Sequence, residues 1–217
     1  MKATPKILVV TLAVTLAAGA VLVGGLALYG TGSNLGNLAA SGPCAEAAPA
    51  AARLAPLARG EVAAFDASAA PKPAPDVAFR GPDGAPTDLA ALRGKLLLVN
   101  LWATWCAPCK AEMPALDRLQ AELGGDAFQV VAINVETRNL DKPPAWFKAN
   151  GITHLTYYGD PEGKVLPAIQ SAVGSTGLPT TMLVDAKGCT LGVMKGPAEW
   201  SSEDGRRLIR AALGNGA

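Results

Sequence analysis

Hydrophobic residues divide the chain into one long apolar run near its start and a series of shorter apolar segments after residue 76. The long run, 7–30, contains no charged residue, and with a rise of about 1.5 Å per residue it is long enough to cross a bilayer core. Residues 31–75 are rich in Ala, Gly, Pro and Ser, which predicts a tether with a short helical segment over 44–59 and coil over 67–75. Residues 76–217 carry the pattern of a folded domain.

The pattern after residue 76 alternates between buried strands and amphipathic helices. Continuous apolar runs predict strands, and apolar residues spaced three and four apart predict helices. The predicted strands are 95–102, 128–135, 153–158, 180–184 and 190–195, and the predicted helices are 106–123, 141–150, 163–173 and 201–213. This order predicts an α/β fold in which 95–102 and 128–135 run parallel, while the last two strands form an antiparallel pair across the turn 185–188.

Shorter signals flank this central pattern. Val77 and Phe79 alternate ahead of the turn residues 81–84, and the spacing of 88–92 suggests a short helix. A hairpin is therefore expected in front of the central sheet. At the other end of the domain, Ser201 is the expected N-cap of the last helix.

The charges around the apolar run predict its orientation. Lys2 and Lys6 precede it and the next positive residue is Arg53, so the positive-inside rule places residues 1–6 in the cytoplasm and the domain on the other side of the membrane. A cleaved signal peptide is the alternative, but its apolar region is normally about 7 to 15 residues long. The length of 7–30 favours a permanent single-pass anchor.

Composition narrows the function. The chain has 19 Lys and Arg against 18 Asp and Glu, a formal net charge of +1. Because the charges balance and no basic or acidic block is present, the sequence does not indicate a nucleic-acid-binding protein. Four cysteines stand in the sequence, and two of them form the chain's clearest chemical motif.

This motif, Cys106-Ala107-Pro108-Cys109, lies between a predicted strand and a predicted helix. Cys106 is expected at the helix N-terminus, where free backbone N–H groups and the helix dipole stabilise a thiolate. A thiolate is the nucleophilic form of cysteine, so Cys106 is the expected attacking sulfur. Cys109 follows three residues later on the same helix face, within reach of a disulfide.

Other interpretations of the motif are weaker. A zinc site needs four ligands, and the chain offers only Cys44, Cys189 and His154 in addition, none at a suitable spacing. We therefore expect no metal, and we expect His154 to be a plain surface or strand residue and not a metal ligand, since nothing nearby supplies partner ligands. A pair of buried structural thiols is the remaining alternative, although the position between strand and helix is the one that a redox motif requires.

Residues 102–110 resemble the active site of the thioredoxin superfamily, and Lys110-Ala111-Glu112-Met113-Pro114 resembles its membrane-anchored TlpA-like branch. The resemblance covers about 76–213. It implies a thioredoxin-like fold, a central mixed sheet flanked by helices, with an N-terminal hairpin extension and an inserted α–β unit. It also implies a role in cytochrome biogenesis.

The resemblance assigns further residues. Pro179 is expected in a cis peptide bond opposite the cysteines, and Trp105 beside the exposed sulfur as part of a docking rim. Glu112 lies three residues after Cys109 and could reach the same face, but a Glu on a helix is usually at the surface, so the sequence alone predicts that Glu112 is solvated. The resemblance implies instead that it tunes cysteine protonation. Asn100 stands where thioredoxins carry a buried Asp, so any proton relay must use Glu112 or water.

Cys44 and Cys189 remain once the redox pair is set aside. Because disulfides persist outside the cytoplasm, we expect a structural Cys44–Cys189 bond that pins the segment before the domain to the strand near Thr190. Two free buried thiols are the alternative.

The expected function is that of a thiol:disulfide oxidoreductase that reduces disulfides of partner proteins in the periplasm, without a cofactor. Cys106 attacks and Cys109 resolves. The resemblance implies a membrane thiol donor of electrons, and substrates in cytochrome c maturation or copper-oxidase assembly. Two alternatives stay open: a net oxidant that makes disulfides, and a dithiol copper-binding module. We expect a monomer attached to the bacterial inner membrane.

Overall fold

The computed structural model describes residues 42–214. Its α-helices are α1 (Ala48–Leu54), α2 (Ala107–Leu123), α3 (Lys142–Ala149), α4 (Val165–Val173) and α5 (Glu203–Ala212). Its strands are β1 (Phe65–Pro73), β2 (Ala78–Arg80), β3 (Pro86–Asp88), β4 (Leu96–Trp102), β5 (Phe128–Asn134), β6 (Tyr157–Gly159), β7 (Thr180–Val184) and β8 (Cys189–Lys195). No helix within the described residues has the length and hydrophobicity needed to cross a membrane, and the predicted anchor at 7–30 lies outside them.

The strands of the described residues form one mixed sheet in the order β1-β8-β7-β4-β5-β6-β2-β3. β4, β5 and β6 run parallel, whereas β7 pairs antiparallel with both β4 and β8. The hairpin β2–β3 joins the edge of this sheet through β6. The parallel β4–β5 pair, the antiparallel β7–β8 pair and the hairpin agree with the architecture expected from the sequence.

Strand β4 is the buried centre of the sheet. All of its residues are buried, which explains why its sequence is continuously apolar rather than alternating, apart from Asn100. Helix α2 buries Met113, Leu116 and Leu119 in the same core, and Trp102 stacks on Phe147 of α3 with ring centroids 5.0 Å apart. Because β4 is buried along its whole length, it fixes the position of the turn that precedes Cys106.

Residues 42–75 correct the sequence interpretation. Where 67–75 was expected as coil, β1 forms an edge strand along β8, with an irregular register between Ala67 and Lys72. The strand forms because Phe65 is buried against Gly192, where even a methyl carbon would stand 2.3 Å from the aromatic ring. The helical part of this segment consists of α1 with short 3-10 helices at Ala45–Ala47, Ala55–Leu57 and Gly60–Val62. The second half of the expected tether is thus part of the folded unit.

Three smaller predictions are also corrected. The short helix expected at 88–92 is a pair of consecutive turns, because Leu92 and Arg93 donate to carbonyls only three residues back. The strand expected over 153–158 forms only at its end, as β6. Helix α5 begins one residue later than expected: Ser202, not Ser201, is the N-cap, accepting a hydrogen bond from the Gly205 N–H at 3.1 Å.

Candidate active site

The cysteine motif lies at the N-terminus of α2. Cys106 is the N-cap residue with extended backbone geometry, and its Sγ accepts a hydrogen bond from the Cys109 N–H at 3.2 Å. A disulfide joins Cys106 to Cys109 with a Cα–Cα distance of 5.3 Å. Exposure is 6% for Cys106 and 0% for Cys109, so the first sulfur is the one that solvent and partners reach. Once reduced, Cys106 stands where the free N–H groups of the helix favour a thiolate.

Trp105, immediately before the disulfide, is the largest exposed apolar group of the described residues at 67% exposure. Its neighbour along the chain, Cys106, is held by a hydrogen bond from its own N–H to the Ala103 carbonyl at 3.1 Å. The indole therefore projects from a tight turn directly beside the reactive sulfur. A large aromatic surface in this position suits contact with another protein.

Pro179 directly precedes β7, the neighbour of β4, at the edge of the sheet where the motif stands. The Leu178–Pro179 peptide bond is cis, and the register that pairs Thr180 with Leu101 brings the loop before β7 level with the end of β4. The loop is fixed by the Thr180 hydroxyl, which donates to the Gly177 carbonyl at 2.7 Å. Leu178 stays partly exposed, so its backbone borders the edge at which the cysteines stand.

Glu112 is buried, contrary to the expectation that a Glu on a helix is solvated. It is 3% exposed and lies one turn after Cys109 on the same face of α2. Its Oε1 accepts from Asn100 Nδ2 at 2.7 Å and its Oε2 from the Ala198 N–H at 3.1 Å. The Trp200 indole N–H also faces this carboxyl group, without the geometry of a full hydrogen bond.

Burial raises the pKa of Glu112 from 4.5 to about 7, and the hydrogen bonds from Asn100 and Ala198 offset only part of this rise. A carboxyl group that titrates near neutral pH can exchange a proton with a thiol. Asn100 links Glu112 to β7. Its Nδ2 also donates to Thr181 Oγ1 at 2.9 Å, while its Oδ1 has no hydrogen-bond partner among the described residues. The position that holds an Asp in thioredoxins thus supports a carboxyl group that enters from the helix.

Sequence reasoning missed Glu136, which follows β5. It is 9% exposed, and its carboxylate accepts from the Thr104 N–H at 2.7 Å, the Thr104 hydroxyl at 2.9 Å and Asn134 Nδ2 at 3.1 Å. Thr104 follows β4 in the same way. Because β4 and β5 are adjacent and parallel, their carboxyl ends meet at one edge of the sheet, and this pairing is what brings Thr104 and Glu136 together.

His154 is exposed, and it has a partner, Asp117, that the sequence did not indicate. Its Nδ1 lies 2.9 Å from Asp117 Oδ2, and Asp117 Oδ1 accepts the backbone N–H groups of Thr153, His154 and Leu155 at 2.7 to 3.1 Å. Burial would raise the pKa of Asp117, but these hydrogen bonds outweigh it and lower the pKa. This pair anchors the segment before β6. Within 42–214, no three His, Cys, Asp or Glu side chains come together as a metal site.

The remaining cysteines are joined to each other. Cys44 and Cys189 form a disulfide with a Cα–Cα distance of 5.6 Å across 145 positions of sequence, and both residues are buried. The bond attaches the start of the described chain to the first residue of β8. It lies at the wall of an open cavity of about 380 Å³, far along the sheet from the motif at the end of β4.

A mixed sheet with a Cys-x-x-Cys disulfide at a helix N-terminus and a cis-proline opposite defines a thioredoxin-like protein. The family model described as Redoxin matches residues 69–206. The chain therefore belongs to the Redoxin family.

Similar proteins carry names of the same kind. Thioredoxin-like protein YneN of Bacillus subtilis is 36% identical over 116 residues, 53% of this chain and 65% of that protein. Thiol:disulfide interchange protein HelX of Rhodobacter capsulatus is 31% identical over 136 residues, 62% of this chain and 72% of that protein. The solved structure of a thiol:disulfide interchange protein from Chlorobium tepidum matches with a TM-score of 0.55 and 34% identity, covering 68% of this chain and 99% of the other. The chain spans slightly less than two thirds of YneN.

Proposed function

We propose that this protein is a thiol:disulfide oxidoreductase that reduces disulfides of partner proteins in the periplasm. The observation that carries the proposal is the disulfide between the accessible Cys106 and the buried Cys109 at the start of α2. Sequential thiol–disulfide exchange needs an attacking sulfur that keeps some contact with solvent and a resolving sulfur that is protected from it. The names of the similar proteins support the same chemistry.

The reaction transfers two electrons through one mixed disulfide. In the reduced protein the Cys106 thiolate attacks a substrate disulfide, and the bond between the substrate's sulfurs breaks as the new S–S bond forms. The substrate's second sulfur leaves as a thiolate and takes up a proton. Cys109 then loses its proton and attacks Cys106, which releases the second substrate thiol and leaves the protein oxidised.

Glu112 is the proposed acceptor of the Cys109 proton. It lies one turn from Cys109, is sealed from solvent, and has a pKa raised by burial to about 7. A base of this pKa is ionised in part at neutral pH, so it can take the proton from a buried thiol that water does not reach. In this proposal Trp105 and the Leu178 backbone form the rim against which the substrate polypeptide docks.

The cellular setting is part of the proposal. The apolar run 7–30 with Lys2 and Lys6 ahead of it supports a single-pass anchor in the inner membrane with the domain in the periplasm. The buried Cys44–Cys189 disulfide is consistent with an oxidising compartment. The TlpA-like pattern of 110–114 favours substrates in cytochrome c maturation or copper-oxidase assembly, and a membrane thiol protein as the electron donor.

Substrate trapping tests this function directly. The Cys109→Ser variant should accumulate a mixed disulfide between Cys106 and its substrate in the periplasm, because the resolving thiol is absent. The Cys106→Ser variant is the matched control and should trap nothing. Mass spectrometry of the trapped species would name the substrate.

Activity and potential complete the test. With dithiothreitol as the reductant that restores the Cys106–Cys109 dithiol, wild-type protein should accelerate the reduction of insulin disulfides with turnover, and both single cysteine variants should lose this activity. A reductant also needs a potential well below that of a dedicated oxidant, which is about −120 mV, and closer to the value of about −270 mV of thioredoxin. A potential near that of the oxidant would instead assign the protein to disulfide formation, and absence of both turnover and trapping would refute the proposal.

A further inference from the structure

The turn between β4 and α2 is tied to the loop after β5 by one carboxylate. Glu136 Oε2 accepts from the Thr104 N–H at 2.7 Å, and Glu136 Oε1 accepts from the Thr104 hydroxyl at 2.9 Å. Glu136 thus accepts hydrogen bonds from both donor groups of Thr104, its backbone N–H and its hydroxyl. A residue held in this two-point manner has little freedom to rotate about its own backbone.

The carboxylate is itself held in place. Asn134 Nδ2 donates to Glu136 Oε2 at 3.1 Å, and the Glu136 N–H donates back to Asn134 Oδ1 at 3.0 Å. The Asn134 carbonyl accepts from the Asp160 N–H at 2.8 Å, which fixes this end of β5 to the chain after β6. The support for Thr104 thus extends into the sheet rather than ending at a mobile side chain.

Glu136 has no cationic partner within 4.0 Å among the described residues, although it is buried. Burying a carboxylate without a counter-charge is costly unless hydrogen bonds compensate. Here one hydrogen bond comes from Asn134, and the other two come from the turn that carries the exposed Trp105 and leads into Cys106. The burial is therefore coupled to the conformation of that turn.

We propose that Glu136 is a positioning residue for partner docking: through Thr104 it holds Trp105 and Cys106 in the arrangement that a substrate protein meets. This inference rests on the proposed function. It deepens that function by assigning the preorganised part of the docking rim to a residue outside the Cys-x-x-Cys motif. A rim that is ordered before binding spares the ordering cost that a loose loop would incur on contact.

Three variants separate this role from a general structural one. Glu136→Ala removes both bonds to Thr104, Glu136→Gln keeps an acceptor for the Thr104 N–H, and Thr104→Val removes only the hydroxyl bond. Glu122→Ala is the surface control, since Glu122 lies on α2 and pairs with Arg210 in solvent. Each reduced protein is assayed with insulin and with a small aromatic disulfide, and the exchange rate of the amide at position 104 is measured by NMR.

In Glu136→Ala we expect the KM for insulin to rise about tenfold with kcat little changed, because a loosened rim weakens docking but not the exchange chemistry. The rate constant with the small disulfide should stay within about twofold, since that substrate makes no use of the rim. Amide exchange at Thr104 should accelerate. Glu136→Gln should restore most of the insulin KM, Thr104→Val should raise it about threefold, and Glu122→Ala should change none of these quantities.

Two results would overturn the proposal. One is faster exchange of the Thr104 amide in Glu136→Ala with an unchanged insulin KM; the other is an equal loss with insulin and with the small disulfide. If Glu136→Ala does not fold, Thr104→Val decides the matter by the same split between the two substrates. A wild-type protein that reduces no protein disulfide would refute the proposed function instead. Whether Glu136 orders Thr104 would then be tested by the exchange of the Thr104 amide alone.

Discussion

Replacing Glu112 by Gln should change how the stability of the oxidised protein depends on pH. Burial raises the pKa of Glu112 from its ordinary 4.5 to about 7 in the folded protein. Between these two values the folded state keeps the proton that the unfolded chain has released, so stability falls as the pH rises. At about 1.4 kcal/mol per pKa unit, the wild-type protein should lose about 3 kcal/mol between pH 4.5 and 8 relative to Glu112→Gln.

The Gln side chain suits this comparison because it resembles the protonated acid. Asn100 Oδ1 has no hydrogen-bond partner within 42–214. If the Asn100 side-chain amide flips, its Oδ1 can accept a hydrogen bond from the protonated Glu112 carboxyl group or from the side-chain NH2 of the Glu112→Gln variant. In both cases the Ala198 N–H keeps its hydrogen bond to the other oxygen of residue 112. The variant should therefore fold like the acid form at every pH.

Urea unfolding of both oxidised proteins, followed by tryptophan fluorescence at half-unit steps of pH, measures the difference. Glu122→Gln, which alters an exposed carboxylate on the same helix, should follow the wild-type curve within this range. The reasoning is wrong if the curves of wild type and Glu112→Gln run parallel from pH 4.5 to 8. In the reduced proteins the same substitution should shift the thiol titration of Cys109, and unchanged thiol pKa values would remove Glu112 from the proton transfer.

Two further predictions concern stability away from the motif. Replacing Cys44 and Cys189 together by Ser should cost up to about 5 kcal/mol by the chain-entropy model, because the bond closes a loop with a sequence separation of 145; thiol counting on the denatured, unreduced protein should first show this pair without free thiols, and two free thiols there would contradict the bond. Asp117→Ala should cost about 1 to 3 kcal/mol, since three backbone N–H groups lose their acceptor and one of them, that of Leu155, is buried. Because the pKa of Asp117 is lowered on folding, the ionised carboxylate stabilises the folded protein above pH 3.8, and this stabilisation is lost as the pH falls through the pKa of the folded state. If the free energy of unfolding of wild type and of Asp117→Ala fell in the same way at acid pH, this role would be contradicted.

The elements with a strong period could be predicted from the sequence. Strand β7 lies where it was expected, and β4, β5 and α2 differ by one residue at an end, because their apolar spacing is produced by the same burial that the structure shows. Strand β1 could not be predicted, since its alanines and prolines have little preference of their own. It becomes a strand through pairing with β8 and the packing of Phe65, contacts that are distant in sequence.

The residues of the candidate site also include some that the sequence could predict and some that it could not. The roles of Cys106 and Cys109 follow from local spacing, and even the burial of Glu112 had a signal. Cys109, Glu112, Met113 and Leu116 occupy positions i, i+3, i+4 and i+7, so the carboxyl group falls inside the apolar stripe of α2 and not on its polar side. A charged residue within such a stripe indicates either a partner or a raised pKa, and here the structure shows both.

Glu136 had no such periodic signal, because it lies in a loop where no pattern repeats. What places it is topology: parallel β4 and β5 end at one edge, so the residues that follow each strand meet. This edge is also where the cis-proline loop before β7 arrives, since β7 runs antiparallel to β4. A strand order that places three loop segments around one disulfide therefore makes the site, and the residues that hold those loops are recognised only once the order of the strands is known.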